Sequence, residues 1–145
     1  MTVLIVLFVS WLGFRAMGAL GVPVLAAWAP SGRYALAVMF LFTGLAHFTK
    51  MKHELARMVP SVFPRPLLVI YATGVLEFLG AAGLLLPKFR AEAAFCLIVL
   101  LVAIFLANVK AARDRLTLRG KPATALWLRA PMQVFFIGLL WWSTR

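Results

Sequence analysis

Cysteine and acidic residues are scarce in this 145-residue chain, and each shortage argues against a class of protein. The one cysteine, Cys96, cannot form an internal disulfide, a Cys-x-x-Cys redox pair or a thiolate metal cage. Charged residues make up 13% of the chain, and only four of them are acidic. Soluble globular domains carry about 25% charged residues, so the composition argues against a soluble domain.

Apolar residues dominate instead, at 64% of the chain, and 15 Lys and Arg residues give a net charge of +11. A basic balance can indicate a nucleic-acid partner. Here the cations occur in short clusters between apolar stretches that are too long for a soluble fold. Membrane topology explains both features, so we predict an integral membrane protein whose partner is the lipid bilayer, with no nucleic acid.

The lengths of the apolar stretches predict an all-α membrane protein. A helix needs about 20 mainly apolar residues to cross the hydrocarbon core, and five stretches approach that length. They cover residues 2–22, 33–49, 66–86, 91–109 and 124–142. We predict a single transmembrane domain over residues 1–145, built as a four-helix bundle over about residues 33–143 with an extra N-terminal helix. Since Arg15 and Pro23 interrupt the first stretch, residues 1–28 either span the membrane or lie at its interface.

The distribution of cations predicts the orientation. Nine Lys and Arg residues fall in the loops 50–65 and 110–123, whereas Arg33, Lys88 and Arg90 make only three in the loops of the opposite side. The positive-inside bias therefore places the two basic loops in the cytoplasm. With five spans, the N-terminus is cytoplasmic and the C-terminus extracytoplasmic.

The first of these loops combines apolar and basic residues. Such a segment can lie in the headgroup layer, and Pro60 and Pro64 prevent it from forming one long helix. A face for a soluble protein partner is the alternative.

Few polar side chains fall inside the predicted spans, and ionisable groups at membrane depth usually face protein or water. Glu77 is the acidic residue near the middle of a span, about 16 Å from Pro66 at 1.5 Å per residue. Gln133 lies at similar depth, and Arg129 lies one turn nearer the cytoplasm on the same helical face. The remaining polar candidates are His47, Asn108, Thr73 and Thr43. Together these residues predict one polar zone in the cytoplasmic half of the bundle.

Three roles for Glu77 stay open at this point. It can form a structural ion pair with Arg15 or Arg129, or it can relay protons or contact a ligand. It can also be a neutral glutamic acid that is hydrogen-bonded to Gln133 or Thr73.

Structural roles are also open for the other polar residues, because His47 can be an interface histidine and Asn108 a helix cap. A bis-histidine haem is not expected, since His47 and His53 are six residues apart and His53 lies in a predicted loop. No metal site is predicted either, because the sequence has no metal-cluster or nucleotide-binding motif.

The same residues occur in segments that resemble the DoxX family of small integral membrane proteins. The segments are FLFTGLAHFTK (40–50), MVP (58–60), YATGVLEFLGAAGLLLP (71–87), AIFLANV (103–109) and LWLRAPMQ (126–133). The most specific piece is the Gly-x-x-Glu of Gly74 and Glu77 in a helix rich in Gly and Ala. The resemblance covers about residues 33–143, so the first helix lies outside it.

The resemblance implies a redox-associated membrane protein without an agreed catalytic residue. Some DoxX-like proteins are membrane subunits of a thiosulfate:quinone oxidoreductase or partners in an oxidative-stress complex, and distant animal relatives are assembly chaperones. We therefore expect an accessory subunit of a membrane oxidoreductase, in a bacterial inner (plasma) membrane, which is not an enzyme on its own. The polar zone would bind a quinone-like or other amphipathic ligand. A non-enzymatic assembly or scaffold protein and a small-solute or proton conduit are the alternatives.

Overall fold

The structure, a computed structural model, describes residues 2–145 and is almost entirely helical. The α-helices are α1 (Thr2–Ala19), α2 (Trp28–Ala46), α3 (Lys52–Met58), α4 (Pro66–Leu85), α5 (Arg90–Arg113) and α6 (Leu126–Thr144). A 3₁₀ turn over Pro23–Leu25 joins α1 to α2. A small antiparallel hairpin between α5 and α6 pairs β1 (Thr117–Leu118) with β2 (Lys121–Pro122). The predicted all-α class is confirmed, with the hairpin as a minor addition.

Proline residues set several of the helix boundaries. Pro66 is the first residue of α4 and Pro60 follows the end of α3, positions at which the missing N–H costs no helical hydrogen bond. Pro30 lies in the first turn of α2, and the helix therefore begins at Trp28, five residues before the predicted start at Arg33. As a consequence, Arg33 lies inside a helix rather than at its edge.

The hairpin was not predicted from the sequence. The backbone conformation of its two turn residues allows the strands to pair. Arg119 and Gly120 both have positive φ, at 53° and 72°, as a two-residue turn of a twisted hairpin requires. The backbone N–H of Arg119 donates to the Glu54 carboxylate at 2.9 Å. The hairpin is thereby fixed to α3.

Four of the long helices form a closed series of pairwise contacts. α2 packs against α4, α4 against α5, α5 against α6, and α6 against α2, while α1 packs on α2. Their buried side chains form one apolar core that includes Leu7, Leu36, Phe40, Leu84, Leu97 and Leu140.

The contact between α2 and α4 is a close approach at two glycines, Gly44 and Gly74, which we call the α2–α4 seam. A Cβ atom on Gly74 would lie 2.8 Å from the Cβ of His47 and 2.7 Å from the ring of Phe48. A Cβ atom on Gly44 would lie 2.9 Å from the ring of Phe78. Carbon atoms ordinarily stay about 3.5–4.0 Å apart, so the seam has no room for a larger side chain.

Three helices, α1, α4 and α5, are long and apolar enough to cross a membrane by length and composition. α2 and α6 have 19 residues each, but they are less apolar. Arg33 in α2 and Arg129 and Gln133 in α6 lower their hydropathy.

Candidate functional site

Glu77 is buried in the α2–α4 seam, with 4% of its surface exposed. Its Oε2 accepts a hydrogen bond of 2.6 Å from the hydroxyl of Thr43 on α2. The two residues face each other because the absent side chain of Gly44 lets α2 approach the Cβ of Glu77. The seam thus supplies a hydroxyl donor to a buried carboxyl group.

His47 lies one turn further along α2 and is also buried. Its Nδ1 is 2.9 Å from the carbonyl oxygen of Thr43. Because a carbonyl oxygen only accepts, Nδ1 must carry the proton of this hydrogen bond. In the neutral ring Nε2 is then an acceptor, and in the charged ring it is a second donor.

Neither arginine that was considered as a partner of Glu77 contacts it. The Arg15 guanidinium donates to the carbonyl oxygens of Leu25 and Ala26, at 3.1 and 2.5 Å. It also lies 4.7 Å from the ring centre of Trp28. Arg15 therefore holds the connection between α1 and α2.

Arg129 belongs to a second polar group, on α5 and α6. Its guanidinium donates to the side-chain oxygen of Asn108, and Gln133 donates to the backbone carbonyl of Leu101. Across residues 2–145 the ion pair found is Lys110–Asp114, and Glu77 has none.

Thr73 does not join either group. Its hydroxyl donates to the carbonyl oxygen of Val69 at 2.8 Å, one turn back in the same helix. The hydrogen-bond partner of Glu77 is thus Thr43, rather than Thr73 or Gln133.

The helix register places Glu77 and the hydrogen bond of Gln133 at one level. Gly80 faces Leu97, and Gly83 faces Ala93, so α4 and α5 run antiparallel. This register sets Glu77 level with Leu100, one residue from the carbonyl that receives Gln133. Within residues 2–145 the polar residues form a Thr43–His47–Glu77 group and an Asn108–Arg129–Gln133 group, with no hydrogen bond between the two groups.

One buried charge escaped the sequence analysis. Arg33 was counted with the loop cations opposite the basic loops, but the structure buries it in α2 with 7% of its surface exposed. Its Nη1 donates to the carbonyl oxygen of Ser143 at 2.8 Å. The early start of α2 is the cause, and Pro30 is the sequence signal that could have indicated it.

The chemistry that these groups allow is hydrogen bonding and proton exchange. Among residues 2–145 no cluster of three His, Cys, Asp or Glu side chains could hold a metal ion. Glu77 and His47 are the members of the two groups that can carry an exchangeable proton.

The protein is thus all-helical, and its two polar groups lie on α2, α4, α5 and α6, which pack against one another. A family described as a domain of unknown function, DUF8561, matches residues 36–144. The chain belongs to this family. The match includes most of α2 and all of α3 to α6, and it leaves α1 outside. No curated protein and no solved structure matches the chain.

Proposed function

We propose that the chain is an integral membrane protein in which α2, α4, α5 and α6 form a four-helix bundle with α1 as a fifth span. The long helices have 18 to 24 residues, which corresponds to about 27–36 Å at 1.5 Å per residue. That length suits a hydrocarbon core of about 30 Å. Large apolar side chains are exposed on these helices, including Leu79, Phe95, Leu106 and Val134. Exposed apolar surface of this extent is typical of a face that meets lipid or a partner.

Contacts between the two basic loops support the proposed orientation. The Lys110 ammonium donates to the carbonyl oxygen of Arg57 at 2.7 Å, and Arg119 is bonded to Glu54. Both loops therefore lie at the same end of the helices, as the positive-inside bias requires of two cytoplasmic loops.

Within this membrane protein we place a small binding site at Glu77 and His47. Oε1 of Glu77 and Nε2 of His47 have no hydrogen-bond partner within residues 2–145. Neither atom is among the fully buried polar atoms that lack a partner, so both retain some accessible surface. These two accessible polar atoms, which have no hydrogen-bond partner within residues 2–145, are the observation that carries the proposal.

The ligand class that fits these atoms is a quinone or a related amphipathic carbonyl compound. A protonated Glu77 or a charged His47 can donate a hydrogen bond to a quinone carbonyl, and the apolar faces of the helices can accommodate an isoprenoid tail. In a DoxX-like accessory role, a redox partner supplies two electrons and the site supplies a path for the two protons that convert quinone to quinol.

A binding experiment tests the proposal. The purified protein in neutral detergent is titrated with a short-chain ubiquinone analogue. We expect Glu77→Leu, which removes the donor, to weaken binding about tenfold, which corresponds to one hydrogen bond of about 1.4 kcal/mol. The unfolding temperature should stay near that of the wild type, since the Thr43 hydroxyl can still donate to the carbonyl oxygen of Phe40. Thr73→Val is the matched control, since its hydroxyl bonds only within its own helix. Equal binding by Glu77→Leu and Thr73→Val would refute a ligand site at Glu77.

A scaffold or assembly role is the second candidate, and the tightness of the α2–α4 seam favours it. Most of the polar side chains bond to each other or to backbone carbonyls, as groups that only fix helix positions do. This role predicts that Glu77→Gln and Arg129→Ala both lower the yield of folded protein and its unfolding temperature, with no quinone binding by the wild type.

A further inference from the structure

A buried cation lies at the end of the helices that is opposite the basic loops. Arg33 is 7% exposed, and its Nη1 donates to the Ser143 carbonyl. Its Nε is buried and has no hydrogen-bond partner within residues 2–145. A guanidinium stays charged in proteins, and burying a charge without a counter-charge costs several kcal/mol. The carbonyl alone leaves the charge of Arg33 without an opposite charge.

A second arginine lies at the same end of the helices. Gly44 contacts Glu77 and Gly74 contacts His47, so α2 and α4 run antiparallel and Arg33 is level with residue 88, two residues before Arg90. Arg90 is the first residue of α5 and is half-buried. Its Nε is likewise buried without a partner. The nearest acid along the chain, Glu92, is exposed and forms no ion pair within residues 2–145. One end of the bundle thus holds two arginines whose Nε–H groups are buried and have no hydrogen-bond partner within residues 2–145.

The donors suit an oxyanion. Guanidinium groups bind phosphate and carboxylate through paired, charge-assisted N–H···O bonds. An oxyanion between Arg33 and Arg90 would supply acceptors for both Nε–H groups and the opposite charge that the protein lacks there.

The position of the pair along the helices indicates which oxyanion is near. The bond from Arg33 to Ser143 places the pair beside the end of α6, where Trp141 and Trp142 are exposed. Exposed tryptophans are typical of the membrane–water interface, which is the depth of lipid phosphates.

We propose that Arg33 and Arg90 bind a phosphate oxyanion, which in the membrane is that of a phospholipid headgroup. The lipid source depends on the membrane location given under Proposed function, but the oxyanion site itself does not. It is separate from the Glu77 group, which lies near the middle of the helices.

The test measures thermal unfolding and native mass spectra of the full chain in neutral detergent and phosphate-free buffer. Three probes are added separately: short-chain phosphatidylglycerol, a diacylglycerol with the same chains but no phosphate, and inorganic phosphate. We expect phosphatidylglycerol to bind and raise the Tm, with no comparable effect of diacylglycerol.

The variants decide whether the arginines are responsible. Arg33→Gln and Arg90→Gln should each weaken phosphatidylglycerol binding about tenfold or more, as loss of a charge-assisted bond predicts. Lys88→Gln, which removes an exposed cation two residues from Arg90, should leave binding unchanged. If Arg33→Gln does not fold, Arg90→Gln and the charge-retaining Arg90→Lys still give the result.

Each outcome has a meaning. Equal loss in Lys88→Gln and Arg90→Gln, or equal binding of diacylglycerol, overturns the site. Arginine-dependent binding of inorganic phosphate without phosphatidylglycerol binding supports the oxyanion site and overturns the lipid as its source. Glu77→Leu should not alter either phosphate response, so failure of the quinone site and failure of this site are distinguishable.

Discussion

Two buried charged positions in this protein are accommodated in different ways. Glu77 lies in the α2–α4 seam, where Thr43 donates to it at 2.6 Å. Arg33 lies near the start of α2, where its Nη1 donates to one carbonyl oxygen, and Arg90 lies at the same end of the helices. Neither has an ion-pair partner within residues 2–145.

The difference follows from what each group can do with its proton. A carboxyl can become neutral by binding a proton, which removes most of the cost of burial. An arginine has no such option, because its guanidinium is not deprotonated in proteins. A buried glutamic acid can therefore be stable without a charged partner. A buried arginine keeps its charge and is stabilised by an anion, which the proposed oxyanion site would supply.

The largest expected effect comes from filling the α2–α4 seam, on which the environment of Glu77 depends. Gly74→Leu would place a side chain where even a Cβ atom lies 2.8 Å from the Cβ of His47. We expect a loss of at least about 3 kcal/mol in stability, at the upper end for overpacking, measured as the yield and unfolding temperature of purified protein. Gly138→Leu is the control, since nothing lies within 4 Å of a Cβ atom there. Similar losses in both variants would show that the seam is not the tight contact described.

A smaller effect is expected from breaking the bond between Thr43 and Glu77. Thr43→Val leaves the buried carboxyl without its donor and should cost about 1–3 kcal/mol. The double variant Thr43→Val/Glu77→Leu should recover to within about 1 kcal/mol of the wild type, because both partners are then apolar. The measurement is a double-mutant cycle of thermal or denaturant unfolding in one detergent. Additive losses would mean that the hydroxyl and carboxyl do not interact.

Arg33→Met tests the other side of the comparison. In phosphate-free detergent, we expect its stability to equal or exceed that of the wild type by about 1–2 kcal/mol, since a buried unpaired charge is replaced by an apolar side chain. Added phosphatidylglycerol should raise the Tm of the wild type alone and so reverse the order. If Arg33→Met is strongly destabilised without lipid, then the bond to Ser143 already compensates the charge and the contrast with Glu77 disappears.

Much of the helical fold could be predicted from the apolar stretches, because each stretch is long and punctuated by proline or charge. The five predicted segments coincide with the five long helices, and Pro66 marks the start of α4 correctly. The predictions fail where local features of the sequence, such as a proline or a short turn, determine the structure more than hydropathy does. α2 begins five residues early at Trp28, and a two-residue hairpin around Arg119 and Gly120 is too short to leave a hydropathy pattern.

The level of Glu77 and Gln133 along the helices was predictable, but the hydrogen-bond partner of Glu77 was not. Residue counting along ideal helices set Glu77 and Gln133 at similar depth, and the register of the structure places them at one level. Which side chain reaches Glu77 depends on the rotation and spacing of α2 and α4, which the glycines of the seam determine. The sequence pattern alone therefore left Thr43 as one candidate among several and gave no indication that Arg33 is buried and bonded to Ser143.

The smallest effect is expected at an exposed ion pair, and it gives a reference value against which the effects at the buried charges can be compared. Asp114→Asn removes the partner of Lys110, whose ammonium lies 3.1 Å from the carboxylate while both side chains remain partly exposed. The Lys110 bond to the Arg57 carbonyl is kept, so only the ion pair is lost. Such pairs contribute about 0.3–0.5 kcal/mol and are screened by salt, and we expect a change in Tm that vanishes between low and high ionic strength. A large, salt-independent loss would mean that charges at this end are as poorly solvated as Arg33, and the distinction between buried and exposed charge would then fail.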